Sequence, residues 1–144
     1  VLRENELKGD INEEADISEQ ASIGENVKIE ENVSIGAGAV VKGPTVICEG
    51  TKIGPNTVLE EASVGKDSQL ENCHIQASML FEENIVDSFV DLEQVILGEE
   101  CDLKSGSVLK ESFIGPRSYI DMNNSIRGVK FVPDARTDLS EISK

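Results

Sequence analysis

An aliphatic side chain recurs at every sixth position along the first part of this sequence, and a fixed period of this kind constrains the fold more than any other feature. The series runs Ile11, Ile17, Ile23, Ile29, Ile35, Val41, Ile47, Ile53 and Leu59. A small residue follows four places after each aliphatic one, as at Ala15, Val27 and Thr45. Because side chains alternate across a strand, the small residue and the next aliphatic share one face.

Turn-forming residues fill the rest of each six-residue unit. Pairs such as Gly43-Pro44 and Pro55-Asn56 hold the residue types that turns recruit. Each unit is therefore a very short strand followed by a corner. An α-helix is excluded, because a period of six does not hold a stripe on a spiral of 3.6 residues per turn. The sequence predicts an all-β fold, a parallel β-helix.

Beyond Leu59 many of the repeats shorten to five residues, which removes one turn position. The five-residue units begin at Leu59, Leu70, Ile75, Ile85 and Leu109. The pattern is weakest between Leu80 and Leu97, where Glu83 and Glu93 occupy positions that should hold small residues. One extra residue there predicts a bulge or a small loop.

Composition narrows the range of partners. The chain has no Trp, one Tyr and four Phe, so aliphatic side chains must fill a narrow interior. A net charge of −15 argues against nucleic acid and against an anionic membrane surface, both of which attract basic proteins.

Three separated cysteines and a single histidine form no zinc pattern. Unpaired thiols favour a reducing compartment, and we expect a cytoplasmic protein.

Three segments carry a family resemblance: Gly43-Pro44-Thr45-Val46-Ile47, Ile53-Gly54-Pro55-Asn56-Thr57 and Ile75-Gln76-Ala77-Ser78-Met79-Leu80. They resemble the hexapeptide-repeat family, which implies a single-stranded left-handed parallel β-helix with three strands per turn. Within it they are similar to the C-terminal domain of sugar-1-phosphate nucleotidylyltransferases, in particular glucose-1-phosphate thymidylyltransferases.

The resemblance implies a structural, oligomer-forming domain of a parent enzyme. In that family a separate N-terminal domain with a G-x-G-T-R-type loop does the chemistry, and nothing in this sequence matches that loop. No catalytic, cofactor-binding or metal-binding residue is therefore assigned here. The parent is expected to use a nucleoside triphosphate, a sugar phosphate and a divalent metal such as Mg²⁺.

Three parts of the chain are predicted. Residues 1–10 read as a linker from a missing N-terminal domain, residues 11–126 as the β-helix, and residues 127–144 as a tail that caps the open end. Capping would protect unpaired backbone groups on the last coil.

An alternative function is acyl transfer from acetyl-CoA, which many hexapeptide-repeat proteins catalyse with a histidine general base. His74 is the one candidate. A general base needs an orienting partner and room for its substrate, and the sequence near His74 offers few basic residues to bind the phosphates of CoA.

Outward residues of every third repeat should stack into three columns. The first, Asp16, Ser34, Lys52, Gln69, Asn84, Asp102 and Tyr119, is mostly polar. The second, Ser22, Val40, Val58, His74, Phe89 and Val108, is mostly apolar, and the third contains Val46, Met79 and Phe113. Contiguous apolar patches mark contact surfaces, so the second column with help from the third is predicted to join subunits of a homo-oligomer, with a trimer favoured. A monomer with a decorated surface is the alternative.

Overall fold

The computed structural model describes residues 10–137, which wind into a parallel β-helix with no α-helix among them. Every strand pairs in parallel with the strand one coil before or after it. Ile35 pairs with Ile53, eighteen residues later, whereas Leu70 pairs with Val86, sixteen residues later. The predicted all-β coil and its early eighteen-residue period are confirmed.

The coil has three faces, each a ladder of strands. Face 1 is an eight-stranded sheet of Asp16–Ile17, Ser34–Ile35, Lys52–Ile53, Gln69–Leu70, Ile85–Val86, Asp102–Leu103, Tyr119–Ile120 and Arg136–Thr137. Face 2 contains Ser22–Ile23, Val40–Lys42, Val58–Glu60, His74–Gln76 and Ser125–Arg127. Face 3 contains Asp10–Ile11, Val27–Ile29, Thr45–Ile47, Ser63–Val64, Met79–Leu80 and Lys130–Phe131.

Two longer strands, Asp91–Leu97 and Val108–Ile114, belong to face 2 at their beginning and to face 3 at their end. They run continuously around the corner because the repeat is five residues long there, with a single left-handed residue, Gln94 or Glu111, making the bend. Faces 2 and 3 therefore form one thirteen-stranded sheet.

Aliphatic side chains fill the interior, and each short strand contributes one of them. Ile47, Leu59, Leu92 and Ile114 are each fully buried. Each of these residues packs against another aliphatic side chain one coil away, as Ile47 does against Val64, and each fully buried side chain contributes about 1.5–3 kcal/mol.

Small or polar residues stand at the inner side of each corner, where Thr51, Thr57, Ser68 and Ser107 are buried. Several of their hydroxyl groups donate hydrogen bonds to backbone carbonyl groups. Thr51 Oγ1, for example, donates to the Gly65 carbonyl at 2.8 Å. The predicted small-residue positions are confirmed outside the stretch from Leu80 to Leu97.

The register between Leu80 and Leu97 differs from the prediction by one residue. Val86 rather than Ile85 points inward, and Ile85 is exposed on face 1 in the place expected for Asn84. Asn84 is buried instead: its Oδ1 accepts from the Cys101 N–H at 2.8 Å and its Nδ2 donates to the Phe81 carbonyl at 3.0 Å. The expected bulge is absent, because satisfied hydrogen bonds let a polar amide take an inward position.

The coil also continues further than predicted. Lys130–Phe131 pairs with face 3 and Arg136–Thr137 pairs with face 1, so residues 127–137 extend the β-helix rather than cap it. Half-buried Val129 and Phe131 take inward positions there. The aliphatic repeat does not predict this last coil, because Thr137 stands where an inward aliphatic residue would be expected. The rest of the predicted cap, residues 138–144, and the predicted linker up to residue 9 lie outside the described residues.

Candidate functional site

Face 3 presents an apolar stripe along its outward column. The outward residues of face 3, in order, are Asp10, Lys28, Val46, Ser63, Met79, Ile96, Phe113 and Lys130. Between the two lysines this column holds no charged side chain. Val46, Met79, Ile96 and Phe113 are 36–46% exposed, which is high for large apolar side chains on neighbouring coils. A shallow groove runs beside them, lined also by Pro44 and Ala77.

Face 2 carries a second, less exposed apolar column. Its outward residues are Ser22, Val40, Val58, His74, Asp91, Val108 and Ser125. The three valines are half-buried. The predicted residues Val40, Val58, His74 and Val108 do share one face, and Val46, Met79 and Phe113 share another.

Phe89 does not belong to the face 2 column, contrary to the prediction. It lies at the corner between faces 1 and 2, where its backbone φ is +66° and the residue is 70% exposed. The one-residue shift at Ile85, together with a unit of six rather than five residues after it, moves Asp91 into the strand position expected for Phe89.

The columns predicted from the sequence did not include two outward residues, Ile96 on face 3 and Asp91 on face 2. A stride of seventeen residues from Met79 to Phe113 passes through residue 96 and would have identified Ile96. No comparable signal identified Asp91, because the register around it was displaced.

His74 has one charged neighbour, Asp91, directly in register on the next coil. His74 Nδ1 lies 3.9 Å from Asp91 Oδ1, and both side chains are more than 40% exposed. The distance exceeds that of a hydrogen bond. A shallow depression beside the pair is lined by Asn56, Asn72 and Phe89, together with apolar neighbours, and includes no lysine or arginine.

Two ion pairs lie along the later coils at the corner between faces 2 and 3. Lys110 Nζ lies 3.3 Å from Glu93 Oε2, and Arg127 Nη2 lies 3.6 Å from Glu111 Oε1. Exposed pairs of this kind add little stability, but they balance the charge of these four side chains.

Acidic side chains instead crowd the corner between faces 3 and 1 in the first coils. Glu49, and then Glu14, raise the pKa of Glu31 above its usual value through repulsion between carboxylates. This corner is unsuited to contact with another acidic surface.

The three cysteines are free and do not form a nucleophilic site. Burial raises the pKa of Cys73 to about 12 and raises the pKa of Cys101. Burial also raises the pKa of Cys48, with a further contribution from Glu30. Thiols with raised pKa values carry little thiolate at neutral pH and react slowly.

Within residues 10–137, no three His, Cys, Asp or Glu side chains are placed to hold a metal ion. In the same residues, no helix is long and apolar enough to cross a membrane.

Comparison with known proteins gives a family match and a fold match. Residues 8–77 match the family model described as the GMPPB C-terminal domain, the C-terminal part of a sugar nucleotidylyltransferase. A crystal structure of UDP-N-acetylglucosamine acyltransferase superposes with a TM-score of 0.56 at 18% identity, covering 88% of this chain and 66% of that chain.

The chain is a hexapeptide-repeat left-handed β-helix. A second hexapeptide-type match, a putative acetyltransferase from Desulfovibrio desulfuricans G20, superposes with a TM-score of 0.50 at 15% identity. It covers 99% of this hexapeptide-repeat chain and 30% of that chain. The chain therefore spans less than two thirds of the length of either solved structure, and at these identities the likeness concerns the fold alone.

The match agrees with the predicted resemblance at the level of sugar nucleotidylyltransferases, although the model is that of GMPPB rather than of a thymidylyltransferase. No curated protein sequence matches this hexapeptide-repeat chain.

Proposed function

We propose that this chain is a structural, subunit-joining domain of a sugar nucleotidylyltransferase and does no chemistry by itself. The observation that carries the proposal is the match of residues 8–77 to the GMPPB C-terminal domain. The parent enzyme would transfer a nucleotidyl group from a nucleoside triphosphate to a sugar phosphate, with pyrophosphate leaving and a divalent metal such as Mg²⁺ assisting. In this proposal another domain binds the metal and both substrates, and residues 10–137 place no three His, Cys, Asp or Glu side chains to hold a metal ion.

The polar residues inside the β-helix support a structural role. Ser107 Oγ donates to the Asp121 carbonyl at 2.7 Å and Ser118 Oγ donates to the Gly115 carbonyl at 2.7 Å. Both hydroxyl groups are therefore engaged in hydrogen bonds to the backbone of the coil. Side chains used in this way fix corners and are not free to act on a substrate.

The two apolar columns support self-association. A soluble monomer seldom exposes a contiguous stripe of large apolar side chains, and closed ring symmetry would cover the stripe in every copy alike. A homotrimer is the assembly we favour. The free thiols fit a reducing compartment, and we place the protein in the cytoplasm.

The second candidate function is acyl transfer with His74 as general base, and the neighbouring Asp91 carboxylate is the observation in its favour. It is the weaker candidate for two reasons. The 3.9 Å separation leaves the imidazole without an orienting hydrogen bond. The depression beside it also lacks a cationic side chain for the phosphates of CoA.

The test is the size of the native protein that carries this sequence. An antibody raised against the 15.6 kDa chain is used to probe an extract of the source cells. We expect one band much larger than the chain, and the purified larger protein should transfer a nucleotidyl group to a sugar phosphate. A band at the size of the chain itself, or a larger protein without that activity, would contradict the proposal.

A further inference from the structure

Phe89 stands in a backbone conformation that suits a bulky side chain poorly. Its φ of +66° lies in the left-handed region, where a bulky residue is an outlier. Other residues of this corner column with positive φ are Asn56, Asn72 and Gly106, which tolerate that conformation better. Residues held in such a conformation against their preference cluster at ligand-binding sites. The conformation of Phe89 therefore points to a function for its exposed ring.

The depression beside Phe89 runs along the corner between faces 1 and 2, and we call it the corner trough. Its two walls are the corner column of Asn56, Asn72 and Phe89 and the face 2 column of Val58, His74 and Asp91. The trough crosses three coils, which gives a length of about 10 Å at about 4.8 Å per step. Its volume of about 350 Å³ lies at the lower end of the roughly 300–1,000 Å³ found for small-molecule sites. The trough therefore has room for one small ring.

The polar groups of the corner trough are suited to hydroxyl groups. An asparagine side chain offers both a carbonyl acceptor and an amide donor, and a carboxylate accepts. Within residues 10–137 the side chains of Asn12, Asn84 and Asn124 make hydrogen bonds, whereas those of Asn56 and Asn72 make none. A sugar hydroxyl group both donates and accepts, so it can satisfy these side chains in either direction.

The ring of Phe89 supplies the apolar surface that a sugar ring also needs. The face of an aromatic ring carries partial negative charge and attracts the weakly positive C–H groups on one face of a pyranose. Gly106 occupies the same column on the next coil and has no side chain to cover the Phe89 ring, and Phe89 is 70% exposed. An aromatic face beside unbonded amide groups and a carboxylate matches a sugar better than a purely apolar ligand.

We propose that the corner trough binds the ring of an uncharged sugar, stacked on Phe89 and hydrogen-bonded to Asn72 and Asp91. The proposal goes beyond the structural role of the domain and does not depend on the reaction of the parent enzyme. No lysine or arginine lines the trough, and the carboxylate of Asp91 would repel a phosphate group. Sugar phosphates, sugar nucleotides and CoA are therefore poor ligands for it.

The trough lies at the edge of the apolar column of face 2. Val58 and His74 belong to that column, which is proposed to join subunits. The trough opens on the side of the column that borders face 1, because Asn56, Asn72 and Phe89 form its other wall. A bound sugar would therefore lie at the rim of a contact made by face 2.

The experiment is a titration of the folded chain with methyl glycosides, followed by saturation-transfer difference NMR. The probes are the methyl pyranosides of glucose, mannose, galactose and N-acetylglucosamine, and a single ring in an open site predicts millimolar affinity. We expect at least one of them to bind saturably. Phe89→Asn should weaken that binding by about tenfold through loss of the stacked ring. Asn72→Gly should weaken it by about fivefold through loss of one hydrogen-bonding side chain.

Phe81→Asn is the matched control, because it removes another phenylalanine, 47% exposed, at the corner between faces 3 and 1. It should leave sugar binding unchanged. Phe89→Asn places a residue that tolerates positive φ, so urea denaturation should show a folded protein and separate lost binding from lost structure. Indole, an aromatic ring without hydroxyl groups, is the control ligand and should not bind.

Failure of all the glycosides to bind saturably would overturn the proposal, as would binding that Phe89→Asn leaves unchanged. Binding of indole in preference to the glycosides would show a general apolar surface instead of a sugar site. A changed mass of Phe89→Asn at sedimentation equilibrium would assign the ring to contact between subunits and would equally contradict sugar binding.

Discussion

The carboxylate of Asp91 lies one coil beyond the imidazole of His74 in the same outward column, with Oδ1 3.9 Å from Nδ1. The pair marks the centre of face 2 and is the one place where this β-helix brings an imidazole and a carboxylate together among the described residues. Its separation and exposure describe a solvated polar contact rather than an oriented general base.

Acetyl-CoA should therefore not bind at His74. We expect a calorimetric titration of the chain with acetyl-CoA to give no heat beyond dilution, and the His74→Ala variant to behave identically. Saturable binding that His74→Ala or Asp91→Ala removes would contradict the structural role and favour acyl transfer.

The left-handed backbone conformation of Phe89 is expected to lower the free energy of unfolding of the protein. The other residues stacked at this corner with positive φ are Gly38, Asn56, Asn72, Gly106 and Asn123. A bulky side chain in this left-handed region costs about 1–2 kcal/mol relative to Gly or Asn. Phe89→Asn should raise the free energy of unfolding by about 1 kcal/mol, measured by urea denaturation at fixed chain concentration.

The reverse change, Asn56→Phe, is the matched control and should lower the free energy of unfolding by a similar amount. A Phe89→Asn variant less stable than the wild type would show that the exposed ring makes contacts that outweigh its backbone conformation.

Close stacking of coils makes some glycines irreplaceable for reasons of space. A Cβ added at Gly65 would lie 2.4 Å from the backbone carbon of Phe81 on the next coil. We expect Gly65→Ala to lower the free energy of unfolding by about 2–3 kcal/mol, read from thermal or urea denaturation. Gly24→Ala is the control, because its nearest neighbour would be the Val41 carbonyl oxygen at 3.3 Å. Equal losses at the two sites would mean that crowding is not the cause.

Buried thiols should make the protein less stable in alkali. The pKa of Cys73 is about 12 in the folded chain, against about 9 when exposed. Between these values the unfolded state loses the proton and the folded state keeps it, so the free energy of unfolding falls as pH rises from about 9, by up to about 1.4 kcal/mol per pH unit for this thiol. Below pH 9 this group has no effect.

Urea denaturation at pH 8, 9.5 and 10.5 measures the slope, and Cys73→Ala should flatten it. A slope that Cys73→Ala leaves unchanged would assign the alkaline loss to other groups.

In a thiol-labelling assay at pH 8, Cys48, which is half-buried, should react before Cys73 and Cys101.

Most of the fold could be predicted because each side of the coil repeats the same physical requirement. An inward aliphatic such as Ile47 or Leu103 must fill a fixed space, and a small residue must fit the corner before it. The prediction failed where another residue met the requirement by different chemistry. Asn84 is polar but bonds to Phe81 and Cys101, and Thr137 closes the last described strand without an aliphatic side chain.

The outward columns were predictable only as far as the register was. Val40, Val58, His74 and Val108 were placed together because their spacing follows intact repeats. The register slips by one residue at Ile85, which in a strand of period two exchanges the inward and outward sides. It slips by a second residue in the next unit, which has six residues rather than five, so Phe89 was predicted where Asp91 stands.

Because every strand pairs with the strand one coil away, the β-helix is a spacer of fixed length. The eight strands of face 1, from Asp16–Ile17 to Arg136–Thr137, set a length of about 34 Å at about 4.8 Å per step. Anything attached at the two ends is held at that distance and at a set angle around the axis. Deleting one whole coil, as between Ile35 and Ile53, would shorten the spacing by one step and keep the angle, whereas deleting one six-residue unit would turn one end by about a third of a turn.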